Sequence, residues 1–213
     1  MTDQWQVDES LWDDEPDKGE VIEKKPDNTQ SSHRRTVALK QRNMKIVYRK
    51  AYSETQLLDA IGMDFKEGEI YNCITAGDVD AMSYLKLIIR QQDIEYLLIS
   101  TWVIANDDIL LLEEWINDGK IKKCDVYVGE IFMKSYVFEY EDLKRIITPK
   151  IGRIANFKNH SKIFAGYGSK FHFGVQMSCN INTNPRCENG SITINKEIFD
   201  FYKQYFDEIK SFN

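Results

Sequence analysis

Two short segments in the last third of the chain carry side chains suited to phosphate chemistry. His160 and Lys162 lie two residues apart in NHSKIFAGYG, and Ser178 and Asn180 have the same spacing in MSCNINTNPRCE. In a strand, residues i and i+2 point to the same face, so each pair is predicted to converge on one ligand. A lysine offers a positive charge to a phosphate oxygen, and a histidine attacks phosphorus or transfers a proton near neutral pH. Ser, Asn and Lys together form a hydrogen-bonding cradle for an oxyanion.

The same residue types also have ordinary structural roles, and these alternatives stay open at this point. A single histidine such as His160 is often structural or on the surface, and Lys162 is then a solvated charge. Asn180 is typical of a turn, helped by the proline that follows. Arg186 either binds phosphate or pairs with Glu188.

The apolar pattern before these segments predicts the elements that hold them. Strands are predicted at Glu69–Thr75, Glu95–Ile104, Cys124–Phe132 and Ile151–Phe157, with helices at Asp80–Gln91, from the N-cap Asn106 to Gly119, and at Phe138–Ile147. This β-α-β-α-β-α-β order predicts an α/β fold with a mixed, largely parallel sheet flanked by helices on both faces. The binding crevice of such a sheet lies beyond the carboxyl ends of its strands, close to Ser100, Thr101 and Glu130.

The alternation ends where the polar segments begin. Two adjacent strands, His160–Ala165 and Phe171–Asn180, are predicted around a Gly-rich turn, and a last amphipathic helix is predicted after the N-cap Asn195. The pattern does not repeat within the chain, so the sequence predicts one such unit.

HSK followed by SCN resembles the HxK…GSxN signature of the phospholipase D superfamily, over roughly residues 69 to 212. The β/α order and Glu188 in NPRCE add to the resemblance. It implies an α-β-α sandwich and a phosphodiesterase that works through a covalent phosphohistidine without a metal or other cofactor. His160 is then the nucleophile, or the general acid in the partner half, and Glu188 orients a histidine. The residues expected to bind the substrate phosphate are Lys162, Ser178, Asn180 and Arg186.

Two positions depart from the family pattern. Tyr167 stands where the motif has an Asp, five residues after the lysine, and Met177 stands where it has a Gly before the serine. Some members, such as the tyrosyl-DNA phosphodiesterases, also lack this Asp. The departures leave two alternatives open: an active phosphodiesterase, or a catalytically degenerate nucleic-acid-binding or assembly module.

The sequence contains one copy of the motif. His33 and His172 do not stand in an HxK setting. Single-motif members of the superfamily are homodimeric nucleases with the active site across a two-fold axis. The resemblance therefore implies a symmetric homodimer with endonuclease activity.

Charge divides the chain into two parts. Residues 1–30 hold ten Asp or Glu and three Lys, whereas residues 34–50 hold seven Arg or Lys and no acid. Residues 1–43 are predicted to be an acidic, disordered tail whose basic segment continues to about residue 50, and residues 44–213 to be the phospholipase D-like domain. The tail either has no role beyond solubility or docks through Trp5 and Trp12 onto a protein partner or back onto the same protein.

The basic segment and the single motif favour nucleic acid as the substrate over phospholipid, which a hydrolase or synthase of this superfamily would use. No apolar run reaches the roughly 18 residues of a membrane span, and no secretory signal is recognised, so a cytoplasmic location without membrane binding is expected. The four cysteines contain no CxxC pair, which argues against a zinc site.

Overall fold

The computed structural model describes residues 54–62, 64–182 and 185–211. The predicted acidic tail, with Trp5, Trp12 and His33, lies outside the described residues. So do the basic segment 34–50 and the predicted domain boundary at residue 44.

Helices and strands alternate through the first two thirds of the described chain, and strands then follow one another. The elements are helix α1 (residues 54–61), β1 (Ile70–Ala76), α2 (Ala81–Gln91), β2 (Ile94–Thr101), α3 (Asn106–Asn117), β3 (Cys124–Gly129), α4 (Phe132–Ser135), α5 (Val137–Ile146), β4 (Ile154–Phe157), β5 (Ile163–Gly168), β6 (His172–Met177), β7 (Cys187–Ile194) and α6 (Lys196–Asp207).

The seven strands form one mixed sheet in the order β1-β7-β6-β5-β2-β3-β4. The predicted α/β class and the mixed sheet are confirmed, but the sheet is less parallel than predicted. Only β2–β3 and β3–β4 pair in parallel, and the other four pairings are antiparallel. The reason is the return of the chain after β4: β5, β6 and β7 follow one another through connections without a helix, and such connections join antiparallel strands.

Helices cover both faces of this sheet, as predicted. Along β2, Leu97 and Ile99 enter the larger core cluster, which also holds side chains of α2, α3 and α5, whereas Leu98 enters a smaller cluster with residues of α6. This two-sided burial explains why the sequence of β2 is continuously apolar rather than alternating.

The ends of two helices test the predicted caps. Asn195 caps α6, since its side chain accepts a hydrogen bond from the Glu197 amide. The predicted N-cap Asn106 is instead the first residue of α3, and Ala105 occupies the cap position without a side-chain hydrogen bond. Gly119, with φ +72°, follows the end of α3 as predicted. No helix in the described ranges is long and apolar enough to cross a membrane.

Candidate active site

The candidate site lies along one edge of the sheet. In the antiparallel pairing of β2 with β5, Ser100 at the end of β2 stands opposite Ile163 at the start of β5. Ile163 in turn stands opposite Gln176, and Met177 at the end of β6 stands opposite Gly190 of β7. The ends of β2, β3 and β6 and the starts of β5 and β7 therefore meet at this edge.

The paired motif residues occupy the loops at this edge rather than the strands themselves. β5 begins at Ile163 and β6 ends at Met177, so the predicted strands His160–Ala165 and Phe171–Asn180 are both too long on the side of the site. The same-face rule for strands is therefore not what brings His160 and Lys162 together.

His160 and Lys162 are in direct contact. The Lys162 ammonium lies 2.9 Å from Nδ1 and 3.3 Å from Nε2 of the imidazole, and it donates a hydrogen bond to the His160 carbonyl at 2.8 Å. His160 is exposed, whereas Lys162 is 8% exposed. An accessible imidazole thus stands over a buried positive charge, which is the arrangement needed to attack a phosphate and hold its oxygens.

Burial lowers the pKa of Lys162, and the charge of the nearby Glu188 carboxylate partly opposes this effect. Burial also raises the pKa of Cys179 to about 12, with a further contribution from Glu188. Cys179 is therefore a neutral thiol at physiological pH, and Glu188 supplies the negative charge that supports the ammonium.

Ser178 and Glu188 form the second part of the site. The Ser178 hydroxyl donates a hydrogen bond to the Glu188 carboxylate and accepts one from the Asn189 amide at 3.0 Å. The Ser178 amide in turn donates to the Asn189 carbonyl at 3.0 Å. Ser178 is thus hydrogen-bonded to the start of β7. The Glu188 carboxylate that it contacts also interacts electrostatically with Lys162.

Asn180 lies in the same loop as Ser178 and is half-buried. The loop is fixed to the end of β2, since the Ala105 amide donates to the Ile181 carbonyl at 2.8 Å and the Ile181 amide donates to the Thr101 hydroxyl at 3.4 Å. Within the described part of the chain, Oδ1 of Asn180 is buried without a hydrogen-bond partner. An unpartnered buried acceptor of this kind costs about 1–3 kcal/mol, so Oδ1 is suited to a hydrogen-bond donor, whereas a phosphate oxygen can be bound only by the Nδ2 end of the amide.

The remaining predicted site residues lie at the same edge. Arg186 is exposed immediately before β7, and Glu130 is exposed immediately after β3. Ser100 and Thr101 are buried at the end of β2. None of the described residues forms a group of three His, Cys, Asp or Glu arranged to hold a metal ion.

Asn159 is a central residue of the site that the sequence analysis missed. It is 5% exposed, and its Nδ2 donates to the Ser100 hydroxyl at 2.9 Å and to the carbonyls of Thr101 at 3.3 Å and Tyr127 at 3.0 Å. Its Oδ1 accepts from the Ser161 amide at 3.0 Å and from the Ser161 hydroxyl at 2.7 Å. One side chain thus clamps the residues on both sides of His160 to the ends of β2 and β3.

Trp102 is the second residue that the sequence analysis missed. Its ring centroid lies 5.3 Å from that of His160, at an interplanar angle of 50°. A side chain on Gly129 would place its Cβ 2.1 Å from Cδ1 of the indole, so only glycine leaves room for Trp102 in this position. The signals in the sequence were a tryptophan directly after the strand β2 and a glycine at the end of β3.

The two departures from the family motif lie on packing positions. Tyr167 is near the far end of β5, roughly 17 Å along the strand from Lys162, and its ring packs against Tyr96 and Phe199. Met177 is 8% exposed and belongs to the larger core cluster, whereas Ser178 after it is exposed. His172 also packs on Phe199, which agrees with a structural role.

Sulfate binding tests the lowered pKa of Lys162. Because sulfate stays a dianion from about pH 6 to 10, any change of its affinity in this range comes from groups that titrate on the protein. We expect the affinity to fall as the pH rises through the lowered pKa of Lys162, below the ordinary lysine value of about 10.4. Lys162→Met should weaken binding by about tenfold or more at neutral pH. Calorimetric titration measures both effects.

The exposed Lys158 in the same loop provides the matched control for this titration. Lys158→Met should keep the wild-type pH profile. An affinity that stays constant up to about pH 10, or a Lys162→Met variant that binds sulfate normally, would contradict the assignment of Lys162 as the anion ligand.

The fold is similar to that of several solved structures at low sequence identity. The phospholipase D family member Nuc from Salmonella typhimurium has a TM-score of 0.50 and 10% identity, over 66% of this chain and 92% of Nuc. Polyphosphate kinase from Porphyromonas gingivalis has a TM-score of 0.46 and 15% identity, over 64% of this chain and 25% of the kinase. Phosphatidylserine synthase from Haemophilus influenzae Rd KW20 has a TM-score of 0.46 and 11% identity, over 65% of this chain and 37% of the synthase.

The chain thus spans a quarter of the kinase and just over a third of the synthase, but nearly all of Nuc. No protein-family model matches the sequence, and no curated protein matches it. At 10% identity the likeness to Nuc concerns the fold alone. The described chain therefore has a fold similar to that of Nuc, which agrees with the fold implied by the resemblance of its HSK and SCN segments.

Proposed function

We propose that this protein is a phosphodiesterase that cleaves nucleic acid through a covalent phosphohistidine, with the active site shared by two copies of the chain. The observation that carries the proposal is the pair formed by the exposed imidazole of His160 and the buried ammonium of Lys162, 2.9 Å apart. This pair stands beside the hydrogen-bonded Ser178 and Glu188 at one edge of a phospholipase D fold.

The first chemical step forms the enzyme intermediate. A ring nitrogen of His160 attacks phosphorus, and the bond from phosphorus to the leaving oxygen breaks. His160 of the second copy donates its proton to that oxygen, which leaves as an alcohol. The Lys162 ammonium and Nδ2 of Asn180 donate to the two non-bridging oxygens, whose negative charge is stabilised by the ammonium.

The second step releases the product. Water attacks phosphorus while His160 of the second copy, now neutral, accepts a proton from it. The phosphorus–nitrogen bond breaks, and the phosphate monoester leaves with both histidines restored to their starting protonation. The mechanism thus needs two histidines, and this chain supplies one HxK motif.

Positive charges near the site support nucleic acid as the substrate. Lys134, Lys158 and Arg186 are exposed on segments that follow β3 and β4 and precede β7, all at the site edge of the sheet. Separately, the basic segment 34–50, which lies outside the described residues, holds seven Arg or Lys in the sequence. Cations spread around a phosphate site favour a polyanion over a single phosphoryl group.

A catalytically degenerate nucleic-acid-binding module is the second candidate function. Tyr167 and Met177 replace the Asp and Gly of the family motif, and this substitution is the observation that favours it. The packing roles of both side chains support the active enzyme instead, because the ring contacts of Tyr167 are with Tyr96, His172 and Phe199, and Met177 belongs to the larger core cluster.

Cleavage assays in EDTA distinguish the two functions. We expect the wild-type protein to cut labelled DNA or RNA in EDTA, and His160→Ala to lower the rate on the order of 10³-fold or more, because it removes the nucleophile. His172→Gln, at the other described histidine, is the matched control and should retain activity. Turnover of phospholipid alone would point to a lipid enzyme, and the absence of turnover on all three substrates would favour the binding module.

A further inference from the structure

The imidazole of His160 has two different neighbours. The Lys162 ammonium approaches its ring nitrogens, and the indole of Trp102 packs against its ring at a centroid distance of 5.3 Å. A phosphate held by His160 and Lys162 therefore has an apolar, flat surface beside it. The indole is half-buried, so part of it remains accessible to a substituent of that phosphate.

Gly129 lies against both the backbone and the ring of Trp102. The Gly129 amide donates a hydrogen bond to the Trp102 carbonyl at 3.2 Å, and a Cβ on Gly129 would lie 2.1 Å from Cδ1 and 2.9 Å from Nε1 of the indole. Gly129 thus holds the backbone and leaves the space that the ring occupies. An aromatic ring held in this way loses little conformational freedom when a flat ligand stacks on it.

We propose that Trp102 is a stacking subsite for a nucleobase next to the scissile phosphate. The inference rests on the proposed function and deepens it, since it names the part of the substrate that the site recognises. Every base has a π face, so stacking tolerates different sequences. A base inside a duplex is already stacked on its neighbours, so the subsite favours single-stranded or locally unpaired nucleic acid.

The test compares two oligonucleotides of equal length and charge: oligothymidylate, and an abasic analogue with tetrahydrofuran in place of each nucleoside. The KM of the wild-type protein is expected to be about tenfold lower for oligothymidylate. Trp102→Ala should remove most of this difference, whereas Trp102→Phe should keep it. If Trp102 only supports His160, Trp102→Ala changes the kinetic constants for both oligonucleotides by the same factor. This outcome would overturn the proposal.

Binding measurements separate this proposal from the proposed function. The His160→Gln variant, which lacks the nucleophile, is titrated with both labelled oligonucleotides in EDTA, and fluorescence anisotropy reports the affinities. A preference for oligothymidylate that disappears with Trp102→Ala supports the subsite even if the wild-type protein shows no turnover. Turnover without such a preference overturns the subsite and leaves the hydrolase in place. Binding to phosphatidylglycerol vesicles with none to either oligonucleotide overturns the subsite.

Discussion

When equal amounts of wild-type chain and the His160→Ala variant are mixed and exchange subunits, the activity should fall to about half. The reference is the same amount of wild-type chain measured alone. The expectation follows from a single site that needs His160 from both copies. Random exchange produces about one quarter wild-type dimers, one half mixed dimers and one quarter variant dimers. Only the wild-type dimers keep both a nucleophile and a general acid, so half of the wild-type chains are trapped in inactive pairs.

The mixing experiment needs two controls. Wild-type chain mixed with Lys120→Ala, which changes an exposed lysine beside the start of β2 at the opposite edge of the sheet, should show undiminished activity. Sedimentation should show that the mixed sample is dimeric throughout. If His160→Ala leaves the wild-type activity unchanged, or if the wild-type protein is active as a monomer, each chain works alone and the shared site is wrong.

Local sequence pattern predicted most elements of this fold because burial leaves either a period or a continuous apolar run in the sequence. In α2, Tyr84, Leu85 and Ile88 recur at helical spacing, and all three are buried. In β2, a continuous apolar run predicted a strand covered on both faces, and the core clusters on its two sides confirm it. Such periods depend only on residues close in sequence.

The pairing of the strands could not be predicted in the same way. β1 pairs with β7, more than one hundred residues later, with Cys73 opposite Gly190. Nothing in the local pattern of β1 identifies this partner, because the pairing depends on where the chain returns after β4. The prediction of a largely parallel sheet therefore gave no indication of the antiparallel pairing that the structure shows for β1.

The sequence also predicted the reactive pair of the site more readily than the residues that position it. His160 and Lys162 stand out because their types and spacing are characteristic. Asn159 does not, because an asparagine in a loop is usually a turn residue. Its role appears only when the ends of β2 and β3 come within hydrogen-bonding distance of one amide group.

Replacing this amide by a carboxylate should be among the most damaging single changes to the domain. In Asn159→Asp, the oxygen that takes the place of Nδ2 would face the carbonyls of Thr101 and Tyr127, which lie 3.3 and 3.0 Å from the nitrogen. Two donated hydrogen bonds would become contacts between acceptors, around a buried negative charge. We expect the free energy of unfolding at neutral pH to fall by about 3–5 kcal/mol, as when a buried charge loses its partner. Urea denaturation measures this loss.

The pH dependence of the loss identifies its cause. Burial and the facing carbonyls should raise the pKa of the new carboxyl above its unfolded value of about 3.9, so the folded variant binds more protons than the unfolded chain at intermediate pH. Its free energy of unfolding then decreases as the pH rises through this interval, and the difference from wild type narrows as the pH is lowered.

The control is Asn72→Asp, the same substitution at an exposed position in β1. Its free energy of unfolding should stay within about 0.5 kcal/mol of wild type. If Asn159→Asp unfolds outright, Asn159→Ala takes its place and should cost about 1–3 kcal/mol with little pH dependence. A stable Asn159→Asp variant with full activity would show that the clamp does not position His160.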